Sequence, residues 1–382
     1  MPALRDDIDS QGLLEYSVVY TDRALNHMSA EFQNVMKELS TTLKGLYHAD
    51  SVAIIPGSGT SGMEAVARQL ATDKNVVVVR NGWFSHRWVQ ILEQGRIANT
   101  THVFNAQIHG SPATFSPANI DEVTAFIRQN RPNVVFAPHV ETASGMMLSD
   151  GYVKALGQAV HDVGGILVID CIASGCVWLD MKALGIDVLL SAPQKGLSST
   201  PCCGLVMMSG RAMELVQSSN STSFALDLKA WANIMTAYEN GGHAYHATMP
   251  TDGLRQLRDT LNECQAMGFD KLKSAQIELG CAVLQVLLGC AVLQVLNDKG
   301  IISVADKDSQ AMGVIVCHAP NDDIHKGVAF AKVGVQIAGG VPLQVGEPSD
   351  YKSFRIGLFG LDKLSDVSGT VARFRQACDK IF

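Results

Sequence analysis

Lys195 follows the apolar run Val188-Leu189-Leu190-Ser191, in the small-residue loop Ala192-Pro193-Gln194-Lys195-Gly196. A lysine at the end of a buried strand is poorly placed to carry charge and well placed to act as an amine nucleophile. Desolvation disfavours the ammonium form and leaves more free amine to form a Schiff base with an aldehyde. Most lysines are solvated surface residues, so the weight of this one comes from its companions. Gly165-Ile166-Leu167-Val168-Ile169 is a second buried-strand pattern, and it ends on Asp170. A carboxylate there can keep a heteroaromatic ring nitrogen protonated, or it can cap a helix that follows. Val52-Ala53-Ile54-Ile55 is a third such run. It breaks into Pro56-Gly57-Ser58-Gly59-Thr60-Ser61-Gly62 ahead of a helical pattern over residues 63–70. Strand, glycine-rich turn and helix start form an anion site, because backbone N–H groups and the helix dipole both face the turn. Ser58 and Thr60 add hydroxyls. The loop is neither a Walker loop nor a GxGxxG fingerprint, which disfavours nucleotide binding. An ordinary strand–helix turn is the plain alternative.

A reactive lysine, a strand-end acid and an anion loop together point to pyridoxal 5'-phosphate (PLP), whose ring acts as an electron sink when its nitrogen is protonated. Two further stretches suit that ligand. Arg80-Asn81-Gly82 leads into Trp83-Phe84, aromatics that can stack on a flat ring or simply fill core. His139-Val140-Glu141-Thr142-Ala143-Ser144-Gly145 is a polar loop after a strand, with hydroxyls able to meet a phenolic oxygen. Near the C-terminus, Arg355 stands inside the strand pattern Ser353-Phe354-Arg355-Ile356-Gly357. An arginine there is costly unless it meets an acid, either a substrate carboxylate held in bidentate fashion or a structural partner.

The elements that must position these residues alternate. Strand and helix patterns follow one another from about residue 50 to 200, which predicts an α/β fold with an open, mostly parallel sheet and helices on both faces. Ligands bind beyond the carboxyl ends of such strands, where all the candidates above fall. The expected organisation is an N-terminal arm (1–19), a large ligand-binding domain (20–266) and a smaller α+β domain (267–382), with a helix over 251–267 as the link.

Composition fits a globular protein with ample core. Hydrophobic residues make up 47% of the 382, charged residues 18%, and the net charge is −7 with no basic block, so no nucleic-acid footprint is expected. The polar, acidic stretch at residues 1–10 does not read as a signal peptide. Nine cysteines include no CxxC pair and read as buried free thiols in a reducing, cytoplasmic setting, with no metal site expected. The neighbours Cys202 and Cys203 read as small apolar filler.

These motifs, in this order, resemble the class V (fold-type I) PLP-dependent aminotransferases, and within them the alanine/serine–glyoxylate aminotransferase group, over about residues 20–365. The resemblance implies a role for each position. Ser58, Gly59 and Thr60 would hold the cofactor phosphate, and Phe84 would stack on the pyridine ring. Thr142 would lie beside the cofactor in the His139–Gly145 motif, where Ala143 replaces a hydroxyl often found in the family. Asp170 would pair with the ring nitrogen and Ile172 would lie under the ring. Gln194 would contact the phosphate and Lys195 would carry the Schiff base. Tyr245 and Thr248 would reach the phosphate across a homodimer interface, and Arg355 would clamp the substrate α-carboxylate. The usual Pro-Gly-Pro turn near the start is missing around Val18-Val19-Tyr20-Thr21.

The resulting expectation is ping-pong transamination between a small amino acid of the alanine or serine type and a 2-oxo acid of the glyoxylate or pyruvate type. No nucleic-acid or membrane partner is expected. Two alternatives stand beside it. One is a PLP-dependent lyase or desulfurase on the same fold, although such desulfurases usually have a histidine where Gln194 precedes the lysine. The other is a non-catalytic homologue.

One feature lies apart from this chemistry. Leu279-Gly280-Cys281-Ala282-Val283-Leu284-Gln285-Val286-Leu287 is repeated unchanged over residues 288–296. The uncharged stretch reaches membrane-span length, but Gln285, Gln294 and the absence of a second span argue against that reading. Nine helical residues make about two and a half turns, so the copies face opposite ways and no single polar face survives. An inserted copy would lengthen a helix by roughly 13 Å or distort it. Excision of residues 288–296 is expected to leave thermal stability largely intact. A marked drop in melting temperature would show that the second copy is needed.

Overall fold

The protein is described by a computed structural model covering residues 3–280 and 292–382. Strands Ser51–Pro56 (β1), Asn75–Arg80 (β2), Thr100–Asn105 (β3), Val134–Pro138 (β4), Ile166–Asp170 (β5), Val188–Ser191 (β6) and Cys203–Met208 (β7) form one sheet, in the order β1-β7-β6-β5-β4-β2-β3. Every neighbouring pair is parallel except those made by β7, which runs against both β1 and β6. The predicted α/β fold with a mostly parallel sheet is therefore present. The reversed strand was not foreseen, and its cause is local. Residues 192–202 are too short a connection for a parallel crossover, which needs a dozen or more residues, so the chain returns antiparallel.

The central strands β4, β5 and β6 are buried at every position, which explains their continuous rather than alternating apolar runs. The covering helices include Ala30–Tyr47 (α1), Gly59–Leu70 (α2), Trp83–Gln94 (α3), Ile120–Asn130 (α4), Asp150–Asp162 (α5), Leu228–Glu239 (α6) and Thr251–Met267 (α7). Several begin as their sequences dictate. The Ser29 hydroxyl accepts from the Phe32 N–H at the start of α1, and the Asn119 and Ser149 side chains cap α4 and α5 in the same manner. Under α3, Trp88 stacks on Phe136 with ring centroids 4.4 Å apart.

Beyond α7 come Phe269–Gly280 (α8) and a second sheet. Its strands Val314–His318 (β8), Ala338–Gly339 (β9) and Ser353–Gly357 (β10) lie in the order β8-β10-β9, all antiparallel, and Val367–Ile381 (α9) follows. The residues of the small sheet divide between two apolar clusters. Cys317, Phe354 and Ile356 belong to the main core. Val314 and Val316 join Phe115, Val140, Ala143, Ala173 and Leu343 in a second cluster, against which Trp83, Phe84 and Phe359 pack. That second cluster walls the carboxyl edge of the large sheet.

Most of the tandem repeat lies outside the described residues, including 281–291. Among the described residues no helix is long and apolar enough to cross a membrane.

Candidate active site

Asp170 closes β5, in register with Pro138 of β4 and Leu190 of β6. Its Oδ1 accepts the Ile172 N–H at 2.9 Å. No helix starts there; the next one, Met181–Leu184, is capped by Asp180. The helix-cap alternative for Asp170 therefore falls away. The side chain is 8% exposed and has no cationic partner among the described residues. Burial pushes its pKa up to about 6. The Ile172 N–H and the distant positive charge of Arg87 oppose that rise, and the Glu141 charge adds to it.

Lys195 lies in the loop after β6. Its Nζ has no hydrogen-bond or ion-pair partner among the described residues and sits 5.4 Å from the centroid of the Phe359 ring. Burial, and then the positive charge of Arg355, press its pKa below the ordinary lysine value. The loop is held in place by a close backbone approach. A Cβ at Gly196 would run into the Gly175 carbonyl, so only glycine lets the lysine loop pack on the loop that follows Asp170. A cavity of about 460 Å³ opens beside the lysine, lined in part by Gln194, Ser198, Thr260, Glu263 and Phe359. The Gln194 Oε1 is buried without a partner.

The glycine-rich loop belongs more to the helix than its composition suggests. α2 begins at Gly59, with the Ser58 N–H donating to the Ser61 Oγ at 3.2 Å. The N–H groups of Gly59 and Thr60 are thus first-turn donors, which have no partners within the helix. A Cβ on Gly59 would come within 2.6 Å of Ile172 Cδ1 and 3.3 Å of Ala192 Cβ. The loop therefore touches both the residue after the acid strand and the residue after the lysine strand.

Phe84 stands in the first turn of α3, and Glu141 fixes it there. Glu141 is fully buried. Its Oε1 accepts from the N–H groups of Phe84 at 3.2 Å and Ala143 at 2.9 Å. Its Oε2 accepts from the Ser85 N–H at 2.8 Å and the Ser85 Oγ at 2.6 Å. A carboxylate on the partnerless N–H groups of a helix N-terminus is favoured by both hydrogen bonding and the dipole. Gly82 makes room for it, since a Cβ there would meet Glu141 Cγ at 2.8 Å. Thr142, next in line, is half-buried.

Arg87 was not singled out from the sequence. It follows Phe84 by three residues on α3, so both project from one face. Its guanidinium lies 5.1 Å from the Phe84 ring centroid, and its Nη1 donates to Thr60 Oγ1 at 3.0 Å. That spacing was the only signal available. Arg355 approaches the same ring at 5.7 Å from β10. Its Nε donates to the Gly339 carbonyl at 2.8 Å, and no carboxylate pairs with it among the described residues. The structural salt bridge is thereby excluded for those residues. Tyr245 and Thr248 are not drawn into this group. Tyr245 is 52% exposed, and its hydroxyl lies 3.1 Å from Thr248 Oγ1, away from the other candidates.

A desolvated lysine, a buried acid and an arginine with no carboxylate partner among the described residues are the equipment of an enzyme that handles amines and carboxylates. A family model, Aminotransferase class-V, matches residues 10–339. The chain is 28% identical over 348 residues to a 2-aminoethylphosphonate–pyruvate transaminase of Paraburkholderia phymatum, covering 90% of this chain and 87% of that one. It is 26% identical to alanine–glyoxylate aminotransferase 1 of Saccharomyces cerevisiae, covering 88% and 86%. The crystal structure of an alanine–glyoxylate aminotransferase from Nostoc superposes with a TM-score of 0.74 at 20% identity, over 92% of this chain and 88% of that one. The chain belongs to the class-V aminotransferases. The two relatives just named are both transaminases.

Asp170 gives a test independent of turnover. Its folded-state pKa, about 6, lies above the ordinary value of 3.8, so burying the charge costs stability above pH 6 and nothing below about pH 4. Asp170→Asn in the ligand-free protein is expected to gain up to about 3 kcal/mol at pH 8, with the gain vanishing as pH falls from about 6 to 4. Thermal denaturation across that range checks it, and an equal gain at every pH would refute the cause given.

Proposed function

We propose that this protein is a PLP-dependent aminotransferase that moves the amino group of a small amino acid, of the alanine or serine type, to a 2-oxo acid such as glyoxylate or pyruvate, working as a homodimer in the cytoplasm. The observation that carries the reading is that Lys195, Asp170 and Arg355 are each desolvated with no counter-ion among the described residues, and that Arg355 lies close enough to Lys195 for its charge to lower the lysine pKa. The relatives named for pyruvate and glyoxylate support the choice of acceptor.

The residues present fit PLP. Gly59 and Thr60 offer first-turn N–H groups to a phosphate, and Gln194 would add the N–H donors of its side-chain amide. Ser58 belongs to the same cradle. Phe84 and Ile172 would flank the flat ring, with Thr142 beside it. Asp170 would pair with the ring nitrogen. When bound, PLP would supply an electron sink for the charge that develops at the substrate Cα.

The rest falls to this chain. Arg355, its Nε already held by Gly339, offers its terminal nitrogens to the substrate α-carboxylate. That grip orients the Cα–H bond toward Lys195. Free of a counter-ion and pressed toward its neutral form, the Lys195 Nζ is the base that would take the proton from Cα. Asp170, negative above about pH 6, would hold a ring nitrogen in its protonated form. Tyr245 and Thr248 are assigned to the phosphate of the neighbouring subunit's site. The arm of residues 1–19 and the division near residue 266 are part of the same proposal.

Two experiments test it. The purified protein is expected to show a visible absorbance band with PLP that converts on adding alanine or serine without any 2-oxo acid. Lys195→Ala is expected to lose both the conversion and turnover, by at least about 100-fold. A band that never converts would favour the lyase reading, and no band at all a binding protein. Arg87→Met removes the guanidinium that donates to Thr60 in the Ser58–Thr60 loop. It is expected to weaken PLP binding by about ten- to a hundredfold, the range of a charge-assisted hydrogen bond, while sparing pyridoxal, which lacks the phosphate. Equal weakening of both ligands would mean that Arg87 acts on the fold instead.

A further inference from the structure

Cys202 and Cys203 are neighbours in sequence, and their sulfurs lie 3.7 Å apart. Successive side chains of an extended strand point to opposite faces, so this contact requires the chain to bend where β7 begins. Cys203 is fully buried and sits opposite Pro56 in the β1–β7 ladder. Cys202, just outside the strand, is only partly buried. Its thiol is drawn below the usual value because Cys203 can donate a hydrogen bond to the thiolate, while the Cys203 thiol is pushed up. The sulfur nearer solvent is therefore the first to ionise, and its buried neighbour is in place to react with it.

The pair is joined to the anion loop through backbone. The Cys202 carbonyl accepts the Gly57 N–H at 3.0 Å, one residue before Ser58. On the other side, Gly204 packs so closely that a Cβ there would meet the Ser58 carbonyl at 2.8 Å. At Gly253 in the first turn of α7, a Cβ would meet Cys202 Cβ, also at 2.8 Å. A change in the Cys202–Cys203 peptide is thus felt directly by the loop and by α7.

We propose that Cys202 and Cys203 form a vicinal dithiol, closed to a disulfide by a two-electron oxidant such as hydrogen peroxide, and that closure loosens the Ser58–Thr60 loop and weakens phosphate binding there. The second half rests on the reading of that loop as the cofactor's phosphate cradle. In the first step the Cys202 thiolate attacks a peroxide oxygen, the O–O bond breaks, and the departing hydroxide takes a proton to become water. In the second, the Cys203 sulfur attacks the Cys202 sulfenic acid, the S–O bond breaks, and hydroxide leaves with the Cys203 proton as a second water. Two thiols lose two electrons and one peroxide gains them. The α-carbons of adjacent residues are about 3.8 Å apart, below the spacing of ordinary disulfides, so the ring is strained and easily reduced. Strained disulfides are the labile, regulatory kind, which suits a reversible modification.

The test oxidises the purified protein with one equivalent of hydrogen peroxide and reads peptide mass, thiol count and PLP affinity. Trypsin releases residues 196–211 as one peptide carrying both cysteines. That peptide is expected to be lighter by two hydrogens, with two thiols lost, PLP binding about tenfold weaker and every change reversed by dithiothreitol. Cys202→Ser and Cys203→Ser, made separately so that one folding failure does not decide the matter, are expected to bind PLP normally and to resist the loss. A peptide that gains oxygen without losing two hydrogens overturns the dithiol. A disulfide that forms while PLP affinity holds overturns the coupling. If the reduced protein binds no PLP, the functional reading fails, and the coupling fails with it.

Discussion

Desolvating ionisable groups without giving them counter-ions is the constraint on which the rest of the structure depends. Lys195, Asp170 and Arg355 are each buried in large part, and each would be more comfortable in water or in an ion pair. Folded proteins avoid this arrangement unless a ligand completes it. Here the cost is borne by a sheet whose central strands are buried at every position and by two apolar clusters that meet at its carboxyl edge. A smaller core would not hold three such groups apart. Their failure to pair with one another is as informative as their proximity, since an internal Lys195–Asp170 bridge would have neutralised both.

Keeping them apart requires stiff backbone, and close glycine contacts supply much of it. Gly196 lies against Gly175, Gly59 against Ile172 and Ala192, and Gly82 against Glu141. Each joins a loop that carries chemistry to a loop that carries none or carries a different part. Glu141 does the same through hydrogen bonds, tying β4's outgoing loop to the first turn of α3 and so fixing the face that Phe84 presents. Unlike the three groups above, it is a buried group with partners. All of its partners are already present, and nothing about it awaits a ligand.

What was legible in the sequence follows from this division. The strands and the residues at their ends could be read because burial on both faces writes long apolar runs, and an abrupt Asp170 or a lysine loop stands out against them. The class of fold and most of the candidate site came with those runs. Two choices left open at Asp170 and Arg355 were decided by what is absent, a following helix in one case and a carboxylate in the other. Absence of a partner cannot be read along a chain. The start of α2 was placed late because Gly59 and Gly62 have poor helix propensity, which tertiary contact with Ile172 and Ala192 overrides. The reversal of β7 is a property of connection length rather than of the strand's own residues. Arg87 was missed because a surface-like arginine on a helix gives no sign of what it meets across a turn.

The connection between β6 and β7 shows how these constraints combine. It begins at Ala192, which packs on Gly59, and it ends at Cys202, whose carbonyl holds the Gly57 N–H. Lys195 lies between these two anchors. The loop that presents the amine is therefore fastened at both ends to the glycine-rich loop ahead of α2, and the spacing between the two is set by these close contacts. A parallel crossover after β6 would have carried the chain away from the edge and broken the second anchor. The reversed strand, unexpected from the sequence, is thus what lets one short segment hold the amine and the anion loop in register.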